Sequence, residues 1–375
     1  MTLALVMSGG GARAAYQVGF LRHLARLRPD LQIPILTGVS AGAINCIYLA
    51  AHSTRLGAKA DELVELWSTL TAERVFDVKA VGLTRNLLRV GLKLVSGGAF
   101  SAPRTHAFLD TKPLGQLMER VLGAAGGVFP GIDENLRHGR LRAAAITTSS
   151  YSTGQSITWV QGAGIEQWDR AHRTSRNVTL RTEHVMASAA LPILFPAIEI
   201  DGQWFGDGGI RLTSPLSPAI HLGASRILAI STRYARSREE ADKPAFQGYP
   251  PPAQIMGVLL NAIFLDLFDA DALSVARVNR MIEALPEKDR QDMRVVELLV
   301  LRPSRDLGRL ANEYEARLPS SFRFLTRGLG TRQTRSNDML SLVMFQPDYL
   351  TRLIELGEAD AQAREAEIVA FLSKS

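Results

Sequence analysis

Residues 38–42 read Gly-Val-Ser-Ala-Gly, with an apolar run, Ile33-Pro-Ile-Leu36, ahead of them and a small-residue apolar run, Ala43 to Ala51, behind. A Gly-x-Ser-x-Gly pentapeptide between a strand and a helix constrains the fold severely. The strand must end in a sharp turn, the helix must start at once, and the serine between them is forced above the edge of the sheet. Glycines two residues to either side leave it room. Its hydroxyl then sits at a helix N-terminus, where the dipole favours developing negative charge. An ordinary strand–helix turn with a capping serine would also fit this stretch.

The rest of the first half has the same grammar. Leu3–Met7 reads as a buried strand, 12–28 as a helix stopped by Pro29, 33–36 as a strand and 41–51 as a helix. Further on, 61–70 and part of 105–122 are helical patterns, 141–148 and 156–161 are strands, and 183–190 is a short helix. Residues 197–200 and 203–205 flank Asp201-Gly202, a hairpin turn signal, and 226–231 is another buried strand. Alternating strands and helices with short links predict an α/β fold, a mostly parallel sheet covered on both faces. Residues 233–252 look like a loop or linker, charged at first and then Tyr-Pro-Pro-Pro at 249–252. Beyond it, 253–375 reads as a mainly helical extension, with a helical pattern over 254–285, a strand at 294–301 and helix again over 348–373. Asp266, Asp269 and Asp271 do not share a helix face and read as a solvated edge.

A chain of 375 residues, 46% of them hydrophobic, can bury a large core and exceeds the size at which one core usually stops growing. Its single cysteine, Cys46, excludes an internal disulfide and a cysteine-based zinc site, and reads as core packing. Residues 1–7 read as the first strand rather than as a secretion signal, and no uninterrupted apolar run is long enough to span a bilayer. The expectation is a cytoplasmic protein, with peripheral membrane contact at most. A net charge of +6 is mild for this length and gives no reason to expect nucleic acid. One segment stands out: residues 79–104 hold Lys79, Arg85, Arg89, Lys93 and Arg104 among leucines and valines with no acidic residue. Such a basic amphipathic stretch can lie on an anionic membrane or, equally, be a solvated helix over the core.

Two further constellations follow strands. Gly9-Gly10-Gly11-Ala12-Arg13 lies between the first strand and the first helix, where glycine N–H groups can converge on one point. A dinucleotide would need an acidic residue at the end of the second strand, and that strand ends instead in the Ser40 elbow. A carbonyl oxyanion is the better guest, if strands one and two lie side by side and bring their C-terminal ends together. Arg13 can support this loop by a fixed positive charge, or be a surface arginine of the helix's first turn. Asp207-Gly208-Gly209 follows the strand Gln203-Trp-Phe. None of the seven histidines sits in a glycine-flanked loop after a strand, and His221, the last in chain order, lies inside a helical pattern. Asp207 is therefore the better base for Ser40 if an apolar setting raises its pKa; the alternative is a turn aspartate capping its own loop.

Together, in this order, Gly9-Gly10-Gly11-Ala-Arg13, Gly38-Val-Ser40-Ala-Gly42 and Asp207-Gly208-Gly209 resemble the patatin-like phospholipase family, and Ala187-Ser188-Ala-Ala-Leu-Pro192-Ile-Leu-Phe195-Pro196 looks like that family's segment ahead of its aspartate. The resemblance covers residues 1–232 and implies a three-layer α/β/α catalytic domain. It implies Ser40 as nucleophile, Asp207 as general base, and Gly9, Gly10 and Gly11 with Arg13 as the oxyanion hole. Gly38, Gly42, Gly208 and Gly209 support the turns. The implied reaction is hydrolysis of a lipid acyl ester through an acyl-enzyme, with no metal and no cofactor, and Leu191–Ile198 shaping the acyl pocket. Ala14 departs from the family's pattern, which often has glycine there. A small-ester or thioester hydrolase, an acyltransferase, and a silent lipid-binding protein on the same scaffold are the alternatives.

Overall fold

The computed structural model describes residues 2–77, 109–244, 248–264, 266–318 and 336–373, together with 246, 323, 328, 330, 331 and 334. The basic segment 79–104 lies outside the described residues.

The strands are β1 (Leu3–Met7), β2 (Ile35–Val39), β3 (Ala143–Ser150), β4 (Ser156–Gly162), β5 (Asp169–Arg170), β6 (Arg173–Asn177), β7 (Ile198–Ile200), β8 (Gln203–Asp207), β9 (Arg226–Ile230) and β10 (Glu297–Leu301). They form one sheet in the order β10-β9-β1-β2-β3-β4-β6-β5, with the β7–β8 hairpin attached to β3. From β10 to β3 all neighbours run parallel. Side chains alternate across this sheet. Leu3, Leu5 and Met7 enter one core, and Ala4 and Val6 enter the other. That is why β1 is an unbroken apolar run: a parallel strand covered on both faces has no solvent side.

Helices α1 (Ala15–Leu27), α2 (Ala41–Ala51) and α3 (Leu56–Ser68) fill the first core, together with the helix Pro347–Ala363. That helix crosses α1 at small residues. A Cβ at Gly19 would lie 1.8 Å from the Ile354 carbonyl oxygen, and one at Gly357 would lie 2.0 Å from that of Tyr16, so only glycine permits this approach. Arg22 and Arg26 both pair with Glu358 at this crossing. The second core sits under Leu216, Ala219, Leu222, Phe268 and Val275.

The region from 253 onward is mainly helical, but it is not an appendage. β10 extends the sheet in parallel register on β9, from Glu297 opposite Arg226 to Leu301 opposite Ile230. Nothing local in residues 297–301 reveals that pairing, because the partner lies 71 positions earlier along the chain. The helical pattern over 254–285 divides into Pro252–Phe264 and Asp266–Ala284, with Leu265 outside the described residues.

The three carboxylates at its start are not a solvated edge. Asp269 pairs with Arg233 at 2.6 Å and Arg302 at 2.5 Å, Asp266 pairs with Arg233 at 3.0 Å, and Asp271 accepts the Leu216 N–H at 2.8 Å. Asp266 and Asp269 share Arg233, while Asp271 turns to a backbone N–H on another side of the helix. Together they tie this helix to the segments after β9 and β10 and to the turn at Leu216 before β9.

Candidate active site

Parallel pairing sets the geometry. Met7 of β1 is in register with Gly38 of β2, so the glycine loop and the serine elbow leave the sheet side by side. A Cβ at Gly9 would lie 2.9 Å from Ser40 Cβ and 3.6 Å from its Oγ. At Gly42 it would meet the Ser8 carbonyl oxygen at 2.4 Å, and at Gly38 the Gly42 carbonyl oxygen at 2.6 Å. Gly38 and Gly42 are therefore required by close backbone approach, and Gly9 by the Ser40 side chain. Ser40 itself has φ 56° and ψ −134°, a strained conformation for a residue with a side chain. It is held there from both sides: its carbonyl accepts the Ala43 N–H at 2.9 Å, and its own N–H donates to Ser188 Oγ at 3.0 Å. Ser188 in turn donates to the Thr147 carbonyl at 2.7 Å, linking the elbow to β3.

The glycine loop is fixed with equal care. Gly10 has φ 148° and Gly11 φ 54°, both in the region that favours glycine. Thr232 Oγ1 donates to the Gly9 carbonyl at 2.6 Å, and the Arg13 N–H donates to the Gly10 carbonyl at 3.0 Å. The N–H groups of Gly9, Gly10 and Gly11 donate to no group among the described residues. Ala14 has φ −65° and is right-handed, so alanine fits where a left-handed residue was in question.

Arg13 is buried, and its guanidinium is engaged away from the elbow: Nε donates to Ser341 Oγ at 2.7 Å, and an Nη pairs with Asp338 at 2.7 Å. A second buried chain runs behind the loop. Trp67 Nε1 donates to Asn45 Oδ1 at 2.9 Å, Asn45 Nδ2 to Gln17 Oε1 at 3.0 Å, and Gln17 Nε2 to the Ser8 carbonyl at 2.8 Å. Helices α3, α2 and α1 thus converge on the residue before Gly9. No pattern of spacing marks Asp338, Thr232, Gln17 or Asn45 in the sequence. Ser188 falls within the recognised 187–196 segment, but its bond to the elbow depends on the fold.

Asp207 ends β8 opposite Thr148 of β3 and is fully buried. The β7–β8 turn that brings it there is the expected one, with Asp201 at φ 49° and Gly202 at φ 74°. Its Oδ1 accepts the Gly209 N–H at 2.9 Å, and its Oδ2 meets no donor within hydrogen-bond geometry among the described residues. Burial pushes its pKa up to about 7, against smaller lowering effects from the Ser40 hydroxyl and the Gly209 N–H. The Ser40 hydroxyl is thus close enough to act on the carboxylate's charge without closing a full hydrogen bond. A Cβ at Gly208 would lie 2.1 Å from the Thr147 carbonyl oxygen, and one at Gly209 would lie 2.2 Å from Phe264 Cδ1. His221 stacks on Trp168, with centroids 4.7 Å apart, and takes no part. Cys46 is buried in the core of α2, as expected.

An apolar cleft opens beside Ser40. It is narrow, and its walls include Gly11, Ala41, Ile44, Trp67, Leu117, Leu191, Phe195 and Phe345. Leu191 and Phe195 bring the 191–198 run to the serine. A strained serine, a buried carboxylate that titrates near neutrality, unpartnered N–H groups and an apolar cleft share one edge of the sheet. That set can transfer an acyl group from an ester with an apolar chain.

The family model described as "Patatin-like phospholipase" matches residues 5–220. No curated protein is significantly similar to the chain in sequence. Among solved structures, the chain is similar to human GIVD cytosolic phospholipase A2, with 11% identity and a TM-score of 0.45 over 99% of this chain and 60% of that one. It is similar to VipD from Legionella pneumophila, with 13% identity and a TM-score of 0.38 over 98% and 76%. It is also similar to the type III effector ExoU, with 14% identity and a TM-score of 0.35 over 95% and 53%; the bacterium is Pseudomonas aeruginosa. The chain thus spans less than two thirds of the human protein and of this ExoU chain.

Proposed function

The chain belongs to the patatin-like phospholipase family, and we propose that it cleaves acyl esters of phospholipids or lysophospholipids with Ser40 as nucleophile and Asp207 as base. The observation that carries this reading is the meeting of Ser40, Asp207 and the Gly9–Gly11 loop beside the apolar cleft. In the first half-reaction Asp207 takes the Ser40 proton as Oγ attacks the ester carbonyl. The tetrahedral oxyanion is met by N–H groups of Gly9, Gly10 and Gly11, fixed before substrate arrives, so they cost little reorganisation. Collapse releases the lyso-lipid or alcohol, which takes the proton from Asp207, and leaves the acyl group on Ser40. In the second, Asp207 takes a proton from water, which attacks the acyl carbonyl; the fatty acid leaves and Ser40 regains its proton.

Arg13 acts in this scheme through the loop, by anchoring it to Asp338 and Ser341, and makes no contact of its own with the oxyanion. Residues 1–232 carry the reacting groups, while the chain beyond 253 contributes β10 and the Arg13 anchor. Peripheral contact with anionic lipid through the basic segment 79–104 belongs to the same proposal, and binding to anionic vesicles that falls with rising salt is its test.

The deciding experiment labels the protein with a fluorophosphonate and assays fatty-acid release from a mixed phospholipid panel, comparing the parent with Ser40→Ala. Labelling and release that both vanish in Ser40→Ala support the reading. Labelling without lipid hydrolysis keeps the nucleophile and points to a smaller ester, a thioester or acyl transfer. No labelling of folded protein refutes the nucleophile.

A further inference from the structure

Among the described residues, fourteen large apolar side chains stand exposed, and ten of them lie between Tyr249 and Met293. Such a concentration marks an interaction surface, since single exposed apolar residues are normally scattered. The helix Pro252–Phe264 is its centre. No charged residue occurs from Pro244 to Phe264. Its inner face, Ala253, Gly257 and Leu260, is buried, yet its outer face, Ile255 and Leu259, is 44% and 51% exposed. A helix apolar all round is ordinarily covered on all sides. Here one side faces solvent.

The neighbouring helix Asp266–Ala284 adds charge. Phe268, Val275 and Ile282 point into the core. Helical periodicity puts Leu273, Arg277, Arg280 and Met281 on the opposite face, and all four are exposed. Arg277 and Arg280 have no ion-pair partner among the described residues, and from Leu273 to Met281 the helix holds no carboxylate, the nearest being Glu283 at its end. Leucine and methionine interleaved with free guanidinium groups suit an anionic lipid surface, where the chains enter the acyl boundary and the arginines meet phosphates. The inner end of the first helix rests on the site, because the Phe264 ring packs on Gly209 of the Asp207 turn.

We infer that the Pro252–Phe264 helix and the Leu273–Met281 face of its neighbour seat this protein on an anionic bilayer, with the Asp207 turn held beside the contact. This rests on the lipid-hydrolase reading, and the test separates the two. The probe is flotation of the full chain carrying Ser40→Ala with phosphatidylcholine vesicles, with and without phosphatidylglycerol, so that hydrolysis does not alter the membrane. Binding is expected with phosphatidylglycerol. Leu259→Asp weakens it by tenfold or more, while segment 79–104 is untouched. Arg277→Gln and Arg280→Gln each lower the affinity for the anionic vesicles by about fivefold. In the otherwise unaltered chain, Leu259→Asp leaves turnover of a water-soluble short-chain ester unchanged, which reports an intact site. Vesicle binding by Leu259→Asp equal to its parent overturns the inference. So does a parent that ignores vesicles but self-associates in sedimentation and loses this in Leu259→Asp, since the face then belongs to a second copy. Vesicle binding without ester turnover in the Ser40 form keeps the surface and rejects the hydrolase.

Discussion

Replacing Asp207 with asparagine tests whether the buried carboxylate is a functional strain on the fold. Asp207 is fully buried, and its pKa rises from an ordinary 3.8 to about 7, with desolvation as the leading cause. The native state therefore holds the proton more tightly than the unfolded chain does. Between these two values stability falls as pH rises, because folding must keep a proton that the unfolded chain would release. Each unit is worth about 1.36 kcal/mol, so above pH 7 the ionised carboxylate costs the fold about 4 kcal/mol. Asparagine has the same shape and no charge to desolvate. The variant is thus expected to be inactive and more stable, with a stability gap near zero below about pH 4 that widens to roughly 4 kcal/mol by about pH 8. Guanidinium unfolding of both proteins across this range measures the gap, and ester turnover measures the loss. A gap independent of pH, or parent stability that climbs through neutrality relative to the variant, would refute the reasoning. Retained turnover in Asp207→Asn would remove Asp207 from the mechanism.

In the proposed mechanism the acting base is the Asp207 carboxylate, so kcat/KM for a soluble ester should rise with pH and level off with an apparent pKa of about 7, read from a pH–rate profile. Asp338→Ala leaves the Arg13 guanidinium buried without its carboxylate, and should destabilise the chain by about 3 kcal/mol or more while lowering turnover, as measured by unfolding and by fluorophosphonate labelling rate. Gly9→Ala places a methyl 2.9 Å from Ser40 Cβ, and should cut kcat about a hundredfold with little change in circular dichroism. Ser188→Ala removes the acceptor of the Ser40 N–H, and should cost about 1–3 kcal/mol of stability and slow acylation, seen as slower probe labelling.

The two motif loops were legible because glycine spacing reports backbone geometry directly. Gly38 and Gly42 flank a serine whose φ of 56° needs space on both sides, and Gly10 and Gly11 occupy angles that other residues avoid. The Asp201-Gly202 turn was legible for the same reason, and it fixes the register that delivers Asp207 to β3. The first helix was less so: it opens as a 3-10 turn over Gly11–Ala14, which apolar periodicity cannot distinguish from α-helix. Arg13 illustrates what local pattern omits. Its neighbours suggested an oxyanion or a surface role, and its partner is Asp338, far along the chain. Asp269 repeats the lesson, because a carboxylate among others on a helix does not reveal that Arg233 and Arg302 converge on it.

The Arg13 anchor has a consequence in time. Its partners lie 325 and 328 residues downstream, so a chain emerging from the ribosome carries the glycine loop and the serine elbow long before this anchor exists. At about 5–20 residues per second that interval is roughly 16 to 65 seconds. Through it, Arg13 is a cation without its counter-charge. A product ending before residue 338 thus carries the glycine loop, the serine elbow and the Asp207 turn but lacks the carboxylate that pairs with Arg13.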